Sequence, residues 1–272
     1  MPESVVRTGL PALDPNPTLQ PLFDGLQWPL AALVVARRCS GKSTLIRSMV
    51  YGLLKDDKNR AKFRASEIVV FSNTSRSGVC DDYRWLGNSK RVVQGFQESV
   101  LQRICEHQLQ RTRRAKELAR KTGERVKLNH VLVILDDVIS GGSDGLARSG
   151  ALQWAFASGR HALVSVIVVS QATTVILSPL IRSNSTASLY GTLSFGQMKA
   201  AFESTPGLGC TFKEFFAYVT QATQDFGFVF YNAHAQRTED RLHRIRADPS
   251  NTPEFRVGDS TEKGKAVKKK SK

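Results

Sequence analysis

The chain has 272 residues, 41% of them hydrophobic, with 39 Lys and Arg against 24 Asp and Glu for a formal net charge of +15. That length suits one large α/β domain able to bury its own core, and the basic balance favours a polyanionic partner over a small neutral one. No apolar run approaches the ~20 residues that span a bilayer, the N-terminus lacks the layout of a secretory leader, and Cys39, Cys80, Cys105 and Cys210 are scattered. Membrane insertion, zinc and a disulfide framework are therefore not expected, and a reduced, intracellular setting is.

Residues 1–27 are punctuated by Pro2, Pro11, Pro15, Pro17 and Pro21 and read as an irregular arm. An apolar strand near 31–36 then runs into Arg37-Arg38-Cys39-Ser40-Gly41-Lys42-Ser43-Thr44 and a helix over 42–55. Strand, glycine-containing loop and helix in that order form a grip for a nucleotide triphosphate. Backbone N–H groups of Arg38, Cys39, Ser40 and Gly41 cradle phosphate, and Lys42 reaches the outer oxygens. Ser43, ahead of Thr44, ligates Mg²⁺. ATP and Mg²⁺ are the cofactors this implies. Ala36 stands where the usual pattern opens with glycine, and the same short string also occurs in ordinary turns before helices.

A strand over 67–71 follows, and then Val100, Leu101, Ile104 and Leu109 recur at helical spacing. They open a basic helical insert at about 97–127, whose stretch 103–127 holds nine Lys and Arg, including Arg111, Arg113, Arg114, Arg120 and Lys121, against three Glu. Such a face is either simply solvated or a contact for a phosphate backbone; Arg111, Arg113 and Arg114 are its candidate DNA ligands. The run His130 to Leu135 ends in Asp136 and Asp137, the form of a buried parallel strand with an acidic tip. Asp136 is expected to hold the metal opposite Ser43, and Asp137 to act as general base on the attacking water. A helix over 146–158 leads to a third apolar strand, 163–170, tipped by Gln171, the candidate γ-phosphate sensor. A short helix near 174–181, a strand over 188–193, a helix over 211–221 and a last strand over 225–231 complete the alternation. The reading is an α/β, P-loop NTPase of the ASCE or RecA-like kind, a mostly parallel sheet sandwiched by helices. The ATPase domain covers 28–247, and 248–272 is expected to be a disordered lysine-rich tail. That tail carries a net +5 over 261–272, and Lys268, Lys269 and Lys270 suit DNA contact or a nuclear address.

Gly159-Arg160-His161, the Ser170-Gln171 tip and Pro179-Leu180-Ile181-Arg182-Ser183-Asn184 together resemble the FtsK–HerA superfamily of DNA-pumping ATPases. Within it, their order and spacing look most like the genome-packaging ATPases of large eukaryotic DNA viruses, virophages and polinton-like elements. The resemblance spans roughly 30–246. It departs from the family at Ala36 and at Asp137, where many members have glutamate. It implies a double-stranded DNA translocase that fills a preformed capsid, working as a homo-oligomeric ring, commonly a hexamer, beside capsid proteins at a packaging vertex. It also implies an arginine reaching a neighbour's nucleotide in trans, for which Arg182 and Arg160 are the candidates, and a place in the host nucleus or a cytoplasmic virus factory, or with the virion. A cellular or mobile-element DNA-transport ATPase and a non-hydrolysing nucleotide-binding scaffold are the alternatives.

Overall fold

The structure, a computed structural model, describes residues 10–55, 67–73, 83–86, 91–124, 126, 128–138, 146, 148–171 and 179–249. In chain order the elements are α1 (Gln20–Gly25), β1 (Ala31–Val35), α2 (Lys42–Lys55), β2 (Ile68–Ser72), β3 (Val92–Gln94), α3 (Glu98–Thr122) and β4 (Val131–Asp136). After them come α4 (Gly150–Ser158), β5 (Val164–Ser170), α5 (Pro179–Ser183), β6 (Ala187–Tyr190), α6 (Phe195–Glu203), α7 (Phe212–Ala222), β7 (Phe228–Asn232) and β8 (Leu242–Ile245).

The eight strands of the described residues join one sheet in the order β3-β2-β4-β5-β1-β6-β7-β8. From β3 through β6 every neighbouring pair is parallel. β7 and β8 then return antiparallel. β1 is central: Leu33 lies between Val168 of β5 and Ser188 of β6. The chain builds β2 to β5 on one side of β1 and β6 to β8 on the other. The order therefore reverses beside β1, and the crevice at the carboxyl ends of its strands is where an open α/β sheet takes its ligand.

Strands buried on both faces need helices on both, and the side chains sort accordingly. Ala32, Val34, Val70, Ile134, Ile167 and Phe230 face α2 and α1, packing on Leu45, Ile46, Met49, Leu53 and Leu22. The opposite face divides in two. Leu33, Phe71, Val133 and Val166 meet α3 and α4 through Leu101, Cys105, Leu152 and Phe156, whereas Val35, Tyr190 and Val229 meet α6 and α7 through Met198, Phe215 and Val219. No helix among the described residues is long and apolar enough to cross a membrane.

Two local expectations are corrected. The supposed irregular arm contains α1, with proline in its first turn and Leu22 wholly buried, so this part of residues 1–27 belongs to the core. The helix expected over 146–158 is helical at Leu146 and Arg148 but is interrupted at Ser149, whose hydroxyl caps the run from Gly150 by accepting from Leu152 N at 3.1 Å. The expected start of the 174–181 helix and the 248–272 tail, apart from Asp248 and Pro249, lie outside the described residues. In that helix's place α5 runs Pro179–Ser183. Lys268, Lys269 and Lys270 are likewise outside the described residues.

Candidate functional site

β1 delivers the chain to the carboxyl edge at Ala36, and the next residues turn sharply. Cys39 (φ 60°) and Gly41 (φ 87°) both take left-handed conformations within three residues. Alternation of this kind turns successive N–H groups toward one concavity and makes an anion-binding nest. Cys39 adopts this conformation without glycine's freedom, at a cost of about 1–2 kcal/mol. Ser40 Oγ donates to Arg37 O at 2.7 Å, bracing the turn. Arg38 and Cys39 are exposed, while Ser40, Gly41, Lys42, Ser43 and Thr44 are half-buried where α2 begins. Lys42 Nζ curls over the loop and donates to Ala36 O at 3.0 Å and Arg37 O at 2.7 Å. Burial pushes its ammonium below the ordinary lysine range, and the facing Asp136 and Asp137 carboxylates offset part of that.

Ala36, the departure from the usual loop, is fully buried, and its neighbour explains how. A Cβ placed on Gly191 would come within 2.6 Å of the Ala36 Cβ and 2.9 Å of Phe228 Cε1. Glycine at 191 makes the room that alanine at 36 takes.

The two carboxylates sit one strand beyond β5. Asp136, at the tip of β4, is 7% exposed, and its Oδ2 accepts from the Tyr83 hydroxyl at 2.7 Å. Asp137 follows in a left-handed conformation, φ 48°. The Asn73 side-chain amide donates to its carbonyl at 3.0 Å, and Gln94 in turn donates to Asn73 O at 3.0 Å. Gln171 lies just past β5 and donates through Nε2 to both Asp137 carboxylate oxygens at 3.2 Å. Its carbonyl accepts from Gln197 Nε2 at 2.6 Å, while Gln197 Oε1 accepts from Ser194 N and closes the capping box of α6. Gln171 is thereby tied to a helix start on the far side of β1.

Ser43 and Asp136 supply a hydroxyl and a carboxylate, hard oxygen donors of the kind Mg²⁺ takes. Among the described residues no group of three His, Cys, Asp or Glu could hold a metal ion by itself. A cation between these two would complete its shell with phosphate oxygens and water, which is how Mg²⁺ is ordinarily held beside nucleotides.

On the flank of β1 opposite β4 and β5, the turn from α7 into β7 meets the phosphate loop. Asp225 (φ 53°) and Phe226 (φ 59°) are consecutive left-handed residues, and a Cβ on Gly227 would run into the Ala222 carbonyl oxygen. That oxygen accepts from Arg244 Nε at 3.1 Å. Phe226 is 64% exposed, and its ring edge stands 3.5 Å from the position of a Cβ on Gly41.

The arginines lie elsewhere. Arg160 and Arg182 line a cleft of about 850 Å³ together with Leu30, Ala31, Val164 and Thr186, residues at the amino-terminal ends of β1, β5 and β6. This is the edge opposite the phosphate loop. Arg182 is half-buried and turned inward: Nη1 donates to Ser204 Oγ at 3.3 Å, and the guanidinium acts on the buried Tyr190 hydroxyl, which burial pushes up to about 12. Arg160 is exposed beside His161. Along α3 the buried stripe is Leu101, Cys105, Gln108, Thr112 and Ala115, leaving Arg113, Arg114, Arg120 and Lys121 exposed. Arg111 is instead held, 3.5 Å from Glu67 and 3.2 Å from Gln108.

The structure thus brings Lys42, Asp136, Asp137 and Gln171 to one edge and leaves Arg160 and Arg182 at the other. Sequence reasoning missed Tyr83, Asn73, Gln94, Gln197 and Phe226. For Gln197 the Ser194-to-Gln197 capping spacing was a readable signal; Asn73 and Tyr83 sit in short polar stretches with no periodicity, Gln94 ends a strand of three residues, and Phe226 opens an aromatic run that reads simply as strand.

The fold is that of a P-loop NTPase. The genome packaging NTPase B204 of Sulfolobus turreted icosahedral virus 2 is similar in its complex with sulfate at TM-score 0.54 and 13% identity, over 82% of this chain and 98% of that one. Its complex with AMPPCP gives TM-score 0.51 at 15% identity, over 82% and 100%. The pCW3 conjugation coupling protein TcpA, with ATPγS, is similar at TM-score 0.50 and 13% identity, over 80% of this chain and 60% of that one. No family model and no curated protein sequence matches this chain.

Proposed function

We propose that this chain is an ATP-driven double-stranded DNA translocase of the FtsK–HerA kind that packages a viral genome into a preformed capsid. The observation that carries the reading is the convergence of a lysine-bearing phosphate nest, two carboxylates and a sensing amide on one sheet edge. In this reading the loop N–H groups and Lys42 hold the triphosphate, and Asp137 takes the proton of the attacking water. Gln171, now bonded to both Asp137 oxygens, orients that carboxylate and exchanges part of its bonding for the γ-phosphate. Ser43 and Asp136 hold Mg²⁺, which when bound neutralises charge developing on the phosphate oxygens. The likeness to a packaging NTPase over nearly its whole length supports the cargo, as does the net charge of +15.

Arg160 and Arg182 line the edge opposite the phosphate loop of their own chain, which suits an arginine finger supplied by a neighbour in a head-to-tail ring, a hexamer in this reading. Arg160 is the better placed, being exposed where Arg182 is engaged with Ser204. Capsid protein at a packaging vertex is the partner we assign to the ring, and the host nucleus or a cytoplasmic virus factory its place of work. The likeness to TcpA favours one second reading, a mobile-element ATPase that moves DNA between cells by the same chemistry.

The test is displacement of a third strand from a long duplex. ATP-dependent removal of a triplex-forming oligonucleotide, lost in Lys42→Ala, is the expected result. Tight ATP binding without displacement or hydrolysis would turn the reading toward a nucleotide-binding scaffold.

A further inference from the structure

The nucleotide site as described accounts for phosphate, metal and water and leaves the base unassigned. The carboxylates and Gln171 stand at the tips of β4 and β5, on one flank of β1. A nucleotide gripped by the loop after β1 must turn its γ-phosphate toward them. Its ribose and base then leave on the other flank, over β6 and β7. There the turn before β7 lifts Phe226 to 64% exposure, with its ring edge 3.5 Å from where a Gly41 Cβ would stand. The turn is built for this. Asp225 and Phe226 both hold left-handed backbone, only glycine fits at 227, and Arg244 fastens the Ala222 carbonyl beneath. Such strain in non-glycine residues is retained where a side chain must be aimed. Among the described residues the other strongly exposed phenylalanine, Phe195, packs on Phe212 and Phe216 with ring centroids at 5.5 and 5.8 Å.

We infer that Phe226 is the base platform of this site: the nucleobase of the bound triphosphate stacks on the face of its ring. The inference rests on the phosphate-loop reading and deepens it. An aromatic face attracts any base and leaves the polyphosphate chain untouched, so the two halves of the ligand can be tested apart.

The experiment is equilibrium binding of Mg-ATP and of Mg-tripolyphosphate, which lacks ribose and base, to the full chain and to its Phe226→Ala, Phe226→Trp and Lys42→Ala variants. Phe226→Ala is expected to weaken ATP by about 5- to 150-fold. It should leave tripolyphosphate unchanged, which also reports an intact loop. Phe226→Trp should keep ATP affinity and show indole emission quenched by ATP but not by tripolyphosphate. Unchanged ATP affinity in Phe226→Ala, or an equal loss of both ligands, overturns the platform while leaving the loop reading in place. If the unaltered protein binds neither ligand, or Lys42→Ala binds both as well as it does, the loop reading falls and the platform with it.

Discussion

Asp137 is held at three points: its carbonyl by Asn73, its carboxylate by both arms of the Gln171 contact, and its own backbone in a left-handed conformation. A side chain fixed this way has been positioned for work rather than left to solvent. If Asp137 is the general base, as we propose, Asp137→Asn keeps the shape and removes the base, so turnover is expected to fall by about 10²–10⁴ while ATP affinity stays. Steady-state rates beside nucleotide titration check this, and full activity in the variant would assign the base elsewhere. The Ala36 and Gly191 pair makes a second residue-scale test. Gly191→Ala should cost about 1–3 kcal/mol in denaturant unfolding through overpacking, and adding Ala36→Gly should recover part of it, since it removes the methyl-on-methyl clash and leaves only the one with the Phe228 ring. Cys39 is an exposed thiol in the turn of the loop. Iodoacetamide should therefore inactivate the enzyme, and ATP should slow that inactivation.

Elements differ in how plainly they announce themselves. α2, β4 and β5 were legible because a buried parallel strand is an unbroken apolar run and the phosphate loop fixes where the next helix starts. α1 hid among prolines, although proline in a first turn is compatible with a helix. β3 is three residues long, and β8, Leu-His-Arg-Ile, alternates too briefly to stand out. α6 was missed although Ser194 and Gln197 carry its capping box. That box has a second use, because Gln197 also holds the Gln171 carbonyl. Gln197→Ala should cost about 1 kcal/mol of stability as a lost cap. Its effect on kcat should be larger than that cost explains, seen by comparing unfolding with turnover. On α3, buried spacing turns Arg113 and Arg114 outward, whereas Arg111 is engaged with Glu67. Arg113→Glu with Arg114→Glu should reduce DNA affinity and flatten its salt dependence by about one unit of slope per lost phosphate contact; Arg111→Ala should do so less.

At the scale of the whole molecule, strand order decides what sequence spacing could not. Gly159-Arg160-His161 and Ile181-Arg182 flank β5 in sequence, yet both arginines sit at the end of it away from Gln171, because parallel strands carry the residues just before β5 and before β6 to the edge opposite the phosphate loop. The fold, and the meeting of Lys42, Asp136, Asp137 and Gln171 at one edge, were readable from local pattern. The separation of the arginines from that site was not, because it depends on topology. A ring that uses Arg160 in trans makes a definite forecast. Lys42→Ala and Arg160→Ala should each be inactive alone, and mixing them should restore part of the turnover, since some interfaces then pair an intact loop with an intact arginine.

In the function we propose, this edge hydrolyses ATP for the sake of DNA. The direct measurement is ATP turnover by the purified chain, with and without long double-stranded DNA, over a range of protein concentration and beside Lys42→Ala. Turnover is expected to rise with DNA and with assembly and to disappear in the variant. Turnover that ignores DNA and survives loss of Lys42, or ATP bound and never cleaved at any concentration, would contradict it.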